Sequence, residues 1–184
     1  MLSRRIVGLF LCVLSVLGGE LLSGCGYALA GHGSFLPAYV KTIGVPVFVN
    51  STTVFNVETL LTEKVRREFI GRGKYKILPQ DTDVDAVLKG TITGISLAPA
   101  GVGGAAQLAT RWTITMTARI ELRDVRANTV LWENPSLILR QDYEATSGVN
   151  AADPAAFFGH EANTLDRLSD EFARAIVSAI LEAF

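Results

Sequence analysis

The clearest pattern in the sequence is a strict alternation of apolar and polar residues from 112 to 123. Successive side chains of a β-strand point to opposite faces of the sheet, so this alternation predicts a half-buried strand. The apolar positions are Trp112, Ile114, Met116, Ala118, Ile120 and Leu122. Residues 85–97 read as another long strand, and the Gly- and Ala-rich residues 98–109 as a loop. A hairpin tip at Ala127-Asn128 leads into 130–132 and, past a break at Asn134-Pro135, into 137–143.

The first strand is predicted over 40–49, with alternate residues sharing one face. These residues are Ile43, Val45, Val47 and Val49. Pro46 falls on the opposite face and has no N–H to donate, which indicates an edge strand or a local irregularity.

The spacing becomes helical at 56–71 and again at 161–183, where apolar residues recur at three- and four-residue intervals. Asp153-Pro154 predicts a short helical turn, and Tyr75 to Leu78 a short extended piece. The fold class predicted is α+β: a two-layer sandwich in which two amphipathic helices cover one face of a mixed or antiparallel sheet of about four strands. The other sheet face stays polar and open.

The first 24 residues have the layout of an export signal. Arg4 and Arg5 precede an uncharged apolar run over 6–19, which is shorter than the roughly 18 to 20 residues that a permanent membrane helix needs. The stretch Leu22-Ser23-Gly24-Cys25 then resembles the lipobox of bacterial lipoproteins. We therefore expect cleavage before Cys25, a tether over 25–39 and a single domain over 40–184.

Cys25 is the expected lipid-attachment residue. A thiol is the soft nucleophile that takes an S-diacylglyceryl group, and the new N-terminus would receive an N-acyl group. Cys12 lies in the leader, so the mature chain has no second cysteine with which to form a disulfide. In lipoproteins Asp after the cysteine favours the inner membrane; Gly26 stands there instead, which favours the periplasmic face of the outer membrane.

The charge balance and the lack of catalytic motifs exclude several function classes. Without Arg4, Arg5 and Glu20, 15 basic and 17 acidic residues remain of the 17 and 18 in the whole chain, so no general basic field would attract nucleic acid. His32 and His160 lack the spacing of metal ligands, and no resident cofactor is expected. The run from Gly101 to Gly104 lacks the Lys-Ser or Lys-Thr of a phosphate loop.

The mature chain as a whole resembles the lipopolysaccharide-assembly lipoprotein LptE family, in a branch outside enteric bacteria. The segments that carry the resemblance are Cys25-Gly26-Tyr27, Leu36-Pro37, VKTIGVPVFVN with Asn50-Ser51-Thr52, LLTEKVRREFIGRGKYKIL, DAVLKGTITGI, the VRANTVLW hairpin and the terminal helix. The resemblance implies a non-enzymatic periplasmic domain that plugs the outer-membrane β-barrel LptD and binds lipopolysaccharide during its passage to the outer leaflet.

Two alternatives remain open. The strand IGVPVFVN, a helix and an Ala-Val-Leu-Lys-Gly strand also resemble the N-terminal module of TolB and the curli-secretion lipoprotein CsgG, which are binding or pore-forming modules. A lipoprotein hydrolase would use Ser96 in Gly94-Ile95-Ser96-Leu97-Ala98, with Asp142 and His160 in the chain order of a triad. Ser96 lies within a predicted strand, which disfavours this alternative.

Lipopolysaccharide carries phosphates, and Arg and Lys make charge-assisted contacts with phosphates. The polar face of the predicted strands carries such residues, although Glu121 interrupts their row. The candidate binding residues are Lys89, Arg111, Arg119, Arg123 and Arg140. Thr113, Thr115 and Thr117 on the same face could instead pack against the polar interior of a barrel.

Overall fold

The computed structural model describes residues 36–72, 74–103, 108–144, 154–160 and 162–183, and these residues form six strands and three helices. The strands are β1 (Thr42–Gly44), β2 (Val49–Asn50), β3 (Lys76–Leu78), β4 (Ala86–Gly103), β5 (Leu108–Asp124) and β6 (Val130–Glu144). The helices are α1 (Val57–Gly71), α2 (Pro154–His160) and α3 (Ala162–Leu181). The predicted leader, Cys25 and the tether as far as residue 35 lie outside the described residues.

The strands form one mixed sheet in the order β3-β1-β4-β5-β6, and β2 pairs with β4 beyond the end of β1. The pairs β1–β3, β1–β4 and β2–β4 are parallel, whereas β4–β5 and β5–β6 are antiparallel. The α+β class is confirmed, but the described residues contain six strands rather than about four. The predicted first strand is divided into β1 and β2, and the short extended piece at 76–78 pairs with β1 as β3.

The division of the first strand reverses the direction of its side chains. Val49 is five positions after Gly44, whereas their β4 partners Val87 and Thr91 are four positions apart, so the first segment contains one extra residue. An extra residue shifts every following side chain to the other face. Phe48 is therefore buried, and Val47 and Val49 are 52% and 59% exposed. The prediction that Val47 and Val49 share one face with Ile43 and Val45 is wrong, because Ile43 and Val45 are buried.

The β4–β5 hairpin is longer than expected, because residues 98–103 continue β4 and Leu108 begins β5. The predicted loop over 98–109 is thus wrong for most of its length. Pairing with β5 satisfies the backbone groups of this Gly- and Ala-rich segment, with register shifts on both sides of Gly101.

The predicted break in β6 is a local irregularity within a continuous strand. Asn134 pairs with Ile120 and Leu137 with Ala118, which leaves two residues of β6 opposite Arg119.

The hydrophobic core lies between the sheet and the helices. The inward residues of β5 from Ile114 to Leu122 are fully buried, which confirms the alternation in the sequence. The apolar stripes of α1 and α3 pack against them and include Leu61, Phe69, Phe172 and Ile176. Phe157 and Phe158 of α2 meet edge to face, with ring centroids 5.2 Å apart, and both are buried. Helices on one sheet face and an open opposite face are therefore observed as predicted.

Lys64 is an exception among the charged residues of α1, because its side chain is only 7% exposed. Its ammonium group lies 2.8 Å from Asp166 and 2.9 Å from Asp170, both on α3. Burial disfavours the ammonium form, but the two carboxylates outweigh it and raise the pKa of Lys64. Lys64 thus joins the two long helices by two ion pairs rather than facing water.

Candidate functional site

The open face of the sheet, opposite the helices, carries the candidate binding residues. In β5 the outward positions alternate with the buried ones, so Arg111, Arg119 and Arg123 share this face. Lys89 pairs with Glu121, and Arg140 with Thr115, which places both on the same face. The structure thus confirms that the five basic residues share one face, but they do not form one cluster.

Three of the five come together around Glu121. Lys89 lies directly opposite Glu121 on β4, and Arg119 and Arg123 are the next outward residues on either side of it. Diagonal neighbours of this kind lie about 7 to 8 Å apart, which long side chains can bridge. Arg123 Nε donates to Glu121 Oε1 at 2.8 Å, so that guanidinium is already engaged. Lys89 and Arg119 are exposed.

The other two candidates lie farther along the sheet. Arg140 is opposite Thr115, four residues along β5 from Arg119, which is about 13 Å at the usual rise of a strand. Arg111 is near the start of β5 and pairs with Glu144 of β6. Acidic residues also occupy the face, since Glu133 and Asp142 of β6 are exposed beside these cations. The open face therefore carries mixed charge rather than a continuous basic stripe.

Hydroxyl groups fill the middle of the open face between these charges. Thr113, Thr115 and Thr117 lie along β5, with Ser96 of β4 opposite Thr115. Thr113 Oγ1 donates to Asp142 Oδ1 at 2.6 Å, and Thr93 Oγ1 donates to the Thr117 carbonyl at 3.2 Å. This part of the face offers neutral hydrogen-bonding groups to whatever covers it.

Exposed apolar side chains also lie on this face, and sequence reasoning missed them. Val49 pairs with Thr91, which pairs with Arg119, so one row across three strands joins an apolar residue to a cation. Adjacent strands are about 4.8 Å apart, which puts the Val49 and Arg119 backbones about 10 Å apart. Val47, two residues before Val49 in the chain, is also exposed. Ile138, 49% exposed, lies opposite Thr117. The available signal was Pro46, which marks the irregular segment that turns both valines outward.

A second polar group, also missed, fastens the N-terminal end of the domain to the β5–β6 turn. The Tyr39 hydroxyl donates to Asp124 Oδ2, and Asp124 Oδ1 accepts the N–H groups of Arg126 at 2.7 Å and Ala127 at 3.0 Å. The bond from Tyr39 lowers the pKa of Asp124 and raises that of Tyr39. Asp at the first position of the turn was the available signal, because Asp commonly accepts N–H groups a few residues later.

Asp85 completes this connection from the start of β4. Its Oδ2 accepts the N–H groups of Lys41 and Thr42, both at 3.0 Å, and its Oδ1 accepts from Arg126 Nη2 at 2.7 Å. The two backbone N–H groups hold the pKa of Asp85 below its ordinary value of 3.8, and the Arg126 charge acts in the same direction. The Arg126 guanidinium also lies 5.4 Å from the centroid of the Tyr39 ring.

The structure gives no support to the catalytic alternative at the positions it describes. Ser96 is exposed in the middle of β4, whereas a nucleophile elbow requires a sharp strand-to-helix turn. Asp142 accepts its hydrogen bond from Thr113. Within the described ranges no group of three or more His, Cys, Asp or Glu residues is placed to hold a metal ion. No helix in this part of the chain has the length and apolarity to span a bilayer.

The fold and the open face define a class of protein: an α+β domain that buries one sheet face and presents charges, hydroxyls and apolar groups on the other. Residues 40–180 match the family described as LptE, lipopolysaccharide-assembly. Because this match covers most of the chain, the protein belongs to the LptE family, and the resemblance in its sequence is confirmed. A search of curated proteins found no match.

Several solved structures are similar to this chain at low sequence identity. The hypothetical protein CT253 from Chlamydia trachomatis is 13% identical with a TM-score of 0.50, covering 79% of this chain and 99% of that chain. Uncharacterized lipoprotein B from Nitrosomonas europaea is 14% identical with a TM-score of 0.46, covering 86% and 96%. The PelC dodecamer from Paraburkholderia phytofirmans is 15% identical with a TM-score of 0.48, and the match covers 79% of this chain and 91% of that chain. At 13% identity and a TM-score of 0.50, the comparison with CT253 concerns the fold alone.

Proposed function

We propose that this protein is a non-enzymatic outer-membrane lipoprotein that plugs and helps assemble the β-barrel LptD and binds lipopolysaccharide on its way to the outer leaflet. Membership of the LptE family supports the role in lipopolysaccharide assembly. The finer parts of the proposal concern the ligand, the barrel and the membrane anchor, and each depends on a different part of the chain.

The observation that carries ligand binding is the row Val49, Thr91 and Arg119 across the open face. Lipopolysaccharide combines phosphate groups with acyl chains, so its binding surface needs cations next to apolar side chains. Exposed Lys89 and Arg119 supply the cations, and exposed Val47 and Val49 supply the apolar part. Lys89 and Arg119 are therefore the two of the five candidates that we assign to the ligand, because Arg123 is engaged by Glu121, and Arg111 and Arg140 lie farther away.

The binding test is a double change of Lys89 and Arg119 to Glu, measured by titration of purified protein with lipopolysaccharide. We expect affinity to fall at least about 10-fold, because exposed cation-to-phosphate contacts are replaced by repulsion. Arg140→Glu is the matched control, since it reverses an exposed charge on the same face but away from the valines. Equal losses in both variants, or none in the double variant, would contradict the assignment.

The proposed barrel contact uses the row of hydroxyl groups from Thr113 to Thr117. Barrel interiors are typically polar, and threonine hydroxyls can exchange hydrogen bonds with such a wall at little desolvation cost. Affinity isolation of the tagged protein from its own envelope tests this contact. Co-isolation of a large β-barrel is expected. A ring assembled from copies of this chain would instead favour the CsgG-like alternative.

The proposed anchor is a lipid on Cys25, with the domain on the periplasmic side of the outer membrane. The lipobox supports it: Ser23 and Gly24 are small, and Cys25 follows a short apolar run. Two or more acyl chains anchor a protein stably, whereas one chain does so only weakly. Mass spectrometry of the native chain should show a triacylated N-terminal Cys25, and an unmodified thiol or an intact leader would refute the anchor.

A further inference from the structure

One end of the sheet, which we call the basal end, gathers the starts of β3, β1 and β4, the end of β5 and the start of β6. Backbone hydrogen bonds hold these segments side by side: Lys76 N–H to the Lys41 carbonyl at 2.8 Å, and Val125 N–H to the Asp85 carbonyl at 3.0 Å. The exposed side chains that define the basal end are Tyr39, Lys41, Lys76, Val125, Arg126 and Val130.

The basal end combines exposed apolar groups with cations. Tyr39, Val125 and Val130 are 41%, 47% and 41% exposed. Lys41 and Lys76 are exposed and form no ion pair with any residue that the structure describes. Exposed apolar residues that occur singly need no explanation, but a group of them among cations indicates a binding surface.

The acidic groups at the basal end are turned inward. Asp85 and Asp124 are 15% and 0% exposed, and their oxygens accept backbone N–H groups, the Tyr39 hydroxyl and Arg126. The exposed acids Asp81 and Asp83 lie on the connection from β3 to β4, which passes beside Gly44 at the other end of β1. The charge presented at the basal end itself is therefore positive.

We propose that, whenever the domain is not enclosed by a barrel, the basal end rests on an anionic phospholipid surface, with its lysines near lipid phosphates and Tyr39, Val125 and Val130 among the headgroups. This inference depends on the proposed acylation of Cys25. Leu36 is eleven residues from Cys25, a distance of at most about 40 Å in a fully extended chain. Tyr39 follows three residues after Leu36, and its hydroxyl donates a hydrogen bond to Asp124 Oδ2. The chain therefore enters the domain at this end.

The chemistry of the basal end matches that surface. Lysines near an anionic bilayer are attracted to it within a Debye length, and Tyr is typical of the interface between headgroups and water. A tether alone leaves the orientation of the domain free. A second, weaker contact made by the domain would orient the open face relative to the bilayer.

The test uses the native acylated protein in vesicles, with a single introduced cysteine that carries an environment-sensitive fluorophore. Val125→Cys reports on the basal end, and Ser96→Cys, exposed in the second half of β4, is the matched control. We expect the label at 125, and not that at 96, to shift to the blue and to be quenched by headgroup spin-labelled lipid in vesicles containing phosphatidylglycerol. The signal should weaken in zwitterionic vesicles and at high salt.

A second variant tests the lysines. Changing Lys41 and Lys76 to Gln should reduce occupancy of the quenched state by about fivefold per lysine, whereas Arg140→Gln, on β6 opposite Thr115, should leave it unchanged. Mass spectrometry of the same samples separates the two proposals. If Cys25 is acylated but the label at 125 is as exposed to water as the label at 96, the basal contact is refuted and the anchor is not. The same conclusion follows if the signal is unaffected by the lysine changes. A chain without acyl groups overturns the anchor itself.

Discussion

Phe48 packs so closely on Gly90 that a Cβ atom on residue 90 would lie 2.7 Å from three carbons of its ring. The contact exists because the extra residue after Gly44 turns Phe48 toward the helices. We predict that Gly90→Ala destabilises the domain by about 1 to 3 kcal/mol through overpacking. Urea denaturation followed by circular dichroism would measure the change in the free energy of unfolding.

Gly94→Ala is the matched control for this prediction. It lies in the same strand, but a Cβ there would have no neighbour within 4 Å. Its free energy of unfolding should change by less than about 0.5 kcal/mol. Adding Phe48→Leu to Gly90→Ala should recover part of the loss, and equal losses at both glycines would contradict the packing argument.

The ion pairs of Lys64 provide a second prediction. Lys64→Met keeps the buried aliphatic volume but removes the charge shared by Asp166 and Asp170. Because side chains of these aspartates are 50% and 38% exposed, solvent screens the interaction, and we expect a loss of only about 1 kcal/mol. A double-mutant cycle with Asp170→Asn should give a coupling energy of about 0.5 to 1 kcal/mol. A coupling of zero would show that the pair is energetically silent.

The lowered pKa values of Asp85 and Asp124 predict a loss of stability in acid. Both carboxyl groups have the ordinary pKa of about 3.8 in the unfolded chain, and their pKa values lie below it in the folded domain. The unfolded state therefore binds more protons in this window. The stabilisation is complete above about pH 5 and is lost as the pH falls through the folded pKa values. Thermal melting between pH 6 and 2 would measure it.

Asp85→Asn separates this effect from general acid denaturation. The amide cannot titrate, so the variant should be less stable than the parent at pH 6, and the difference should shrink as the pH approaches 2. The exposed Asp81, changed to Asn, serves as the control and should leave the pH profile unchanged. A constant difference between the Asp85→Asn and parent profiles would contradict the prediction.

The exposed valine of the open face should matter for binding and not for folding. Val49→Thr removes an apolar group that is 59% exposed, so stability should change by less than about 0.5 kcal/mol. Lipopolysaccharide affinity should fall severalfold if acyl chains meet this residue. Ile70→Thr, at 60% exposure on α1, is matched in exposure but lies in the helical layer. Equal effects of the two changes on affinity would remove Val49 from the site.

Much of the fold could be predicted from the period of the apolar residues. The alternation in β5 and the stripes of α1 and α3 follow directly from burial of one face. The extent of β4 could not be read in this way, because residues 98–103 are held in the sheet by backbone pairing with β5 rather than by a side-chain pattern. The same limit applies to Lys64, whose two partners are about a hundred residues away in the chain.

The sequence predicts which face of the sheet carries the candidate binding residues, but not which of these residues are neighbours. The alternation in β5 placed Arg111, Arg119 and Arg123 on one side, but which cations approach each other depends on strand register, and register is a relation between distant segments. The outward turn of Val47 and Val49 depends on one extra residue relative to β4, and that count requires the pairing to be known.

The seventeen residues of β5 run from the hairpin to the turn beside Tyr39, about 55 Å at the usual rise per residue. A strand of that length fixes the distance between the hairpin and the turn beside Tyr39. Shortening β4 and β5 together by two residues would therefore bring the hairpin tip about 7 Å closer to the Tyr39 end of the domain while keeping every side chain on its own face.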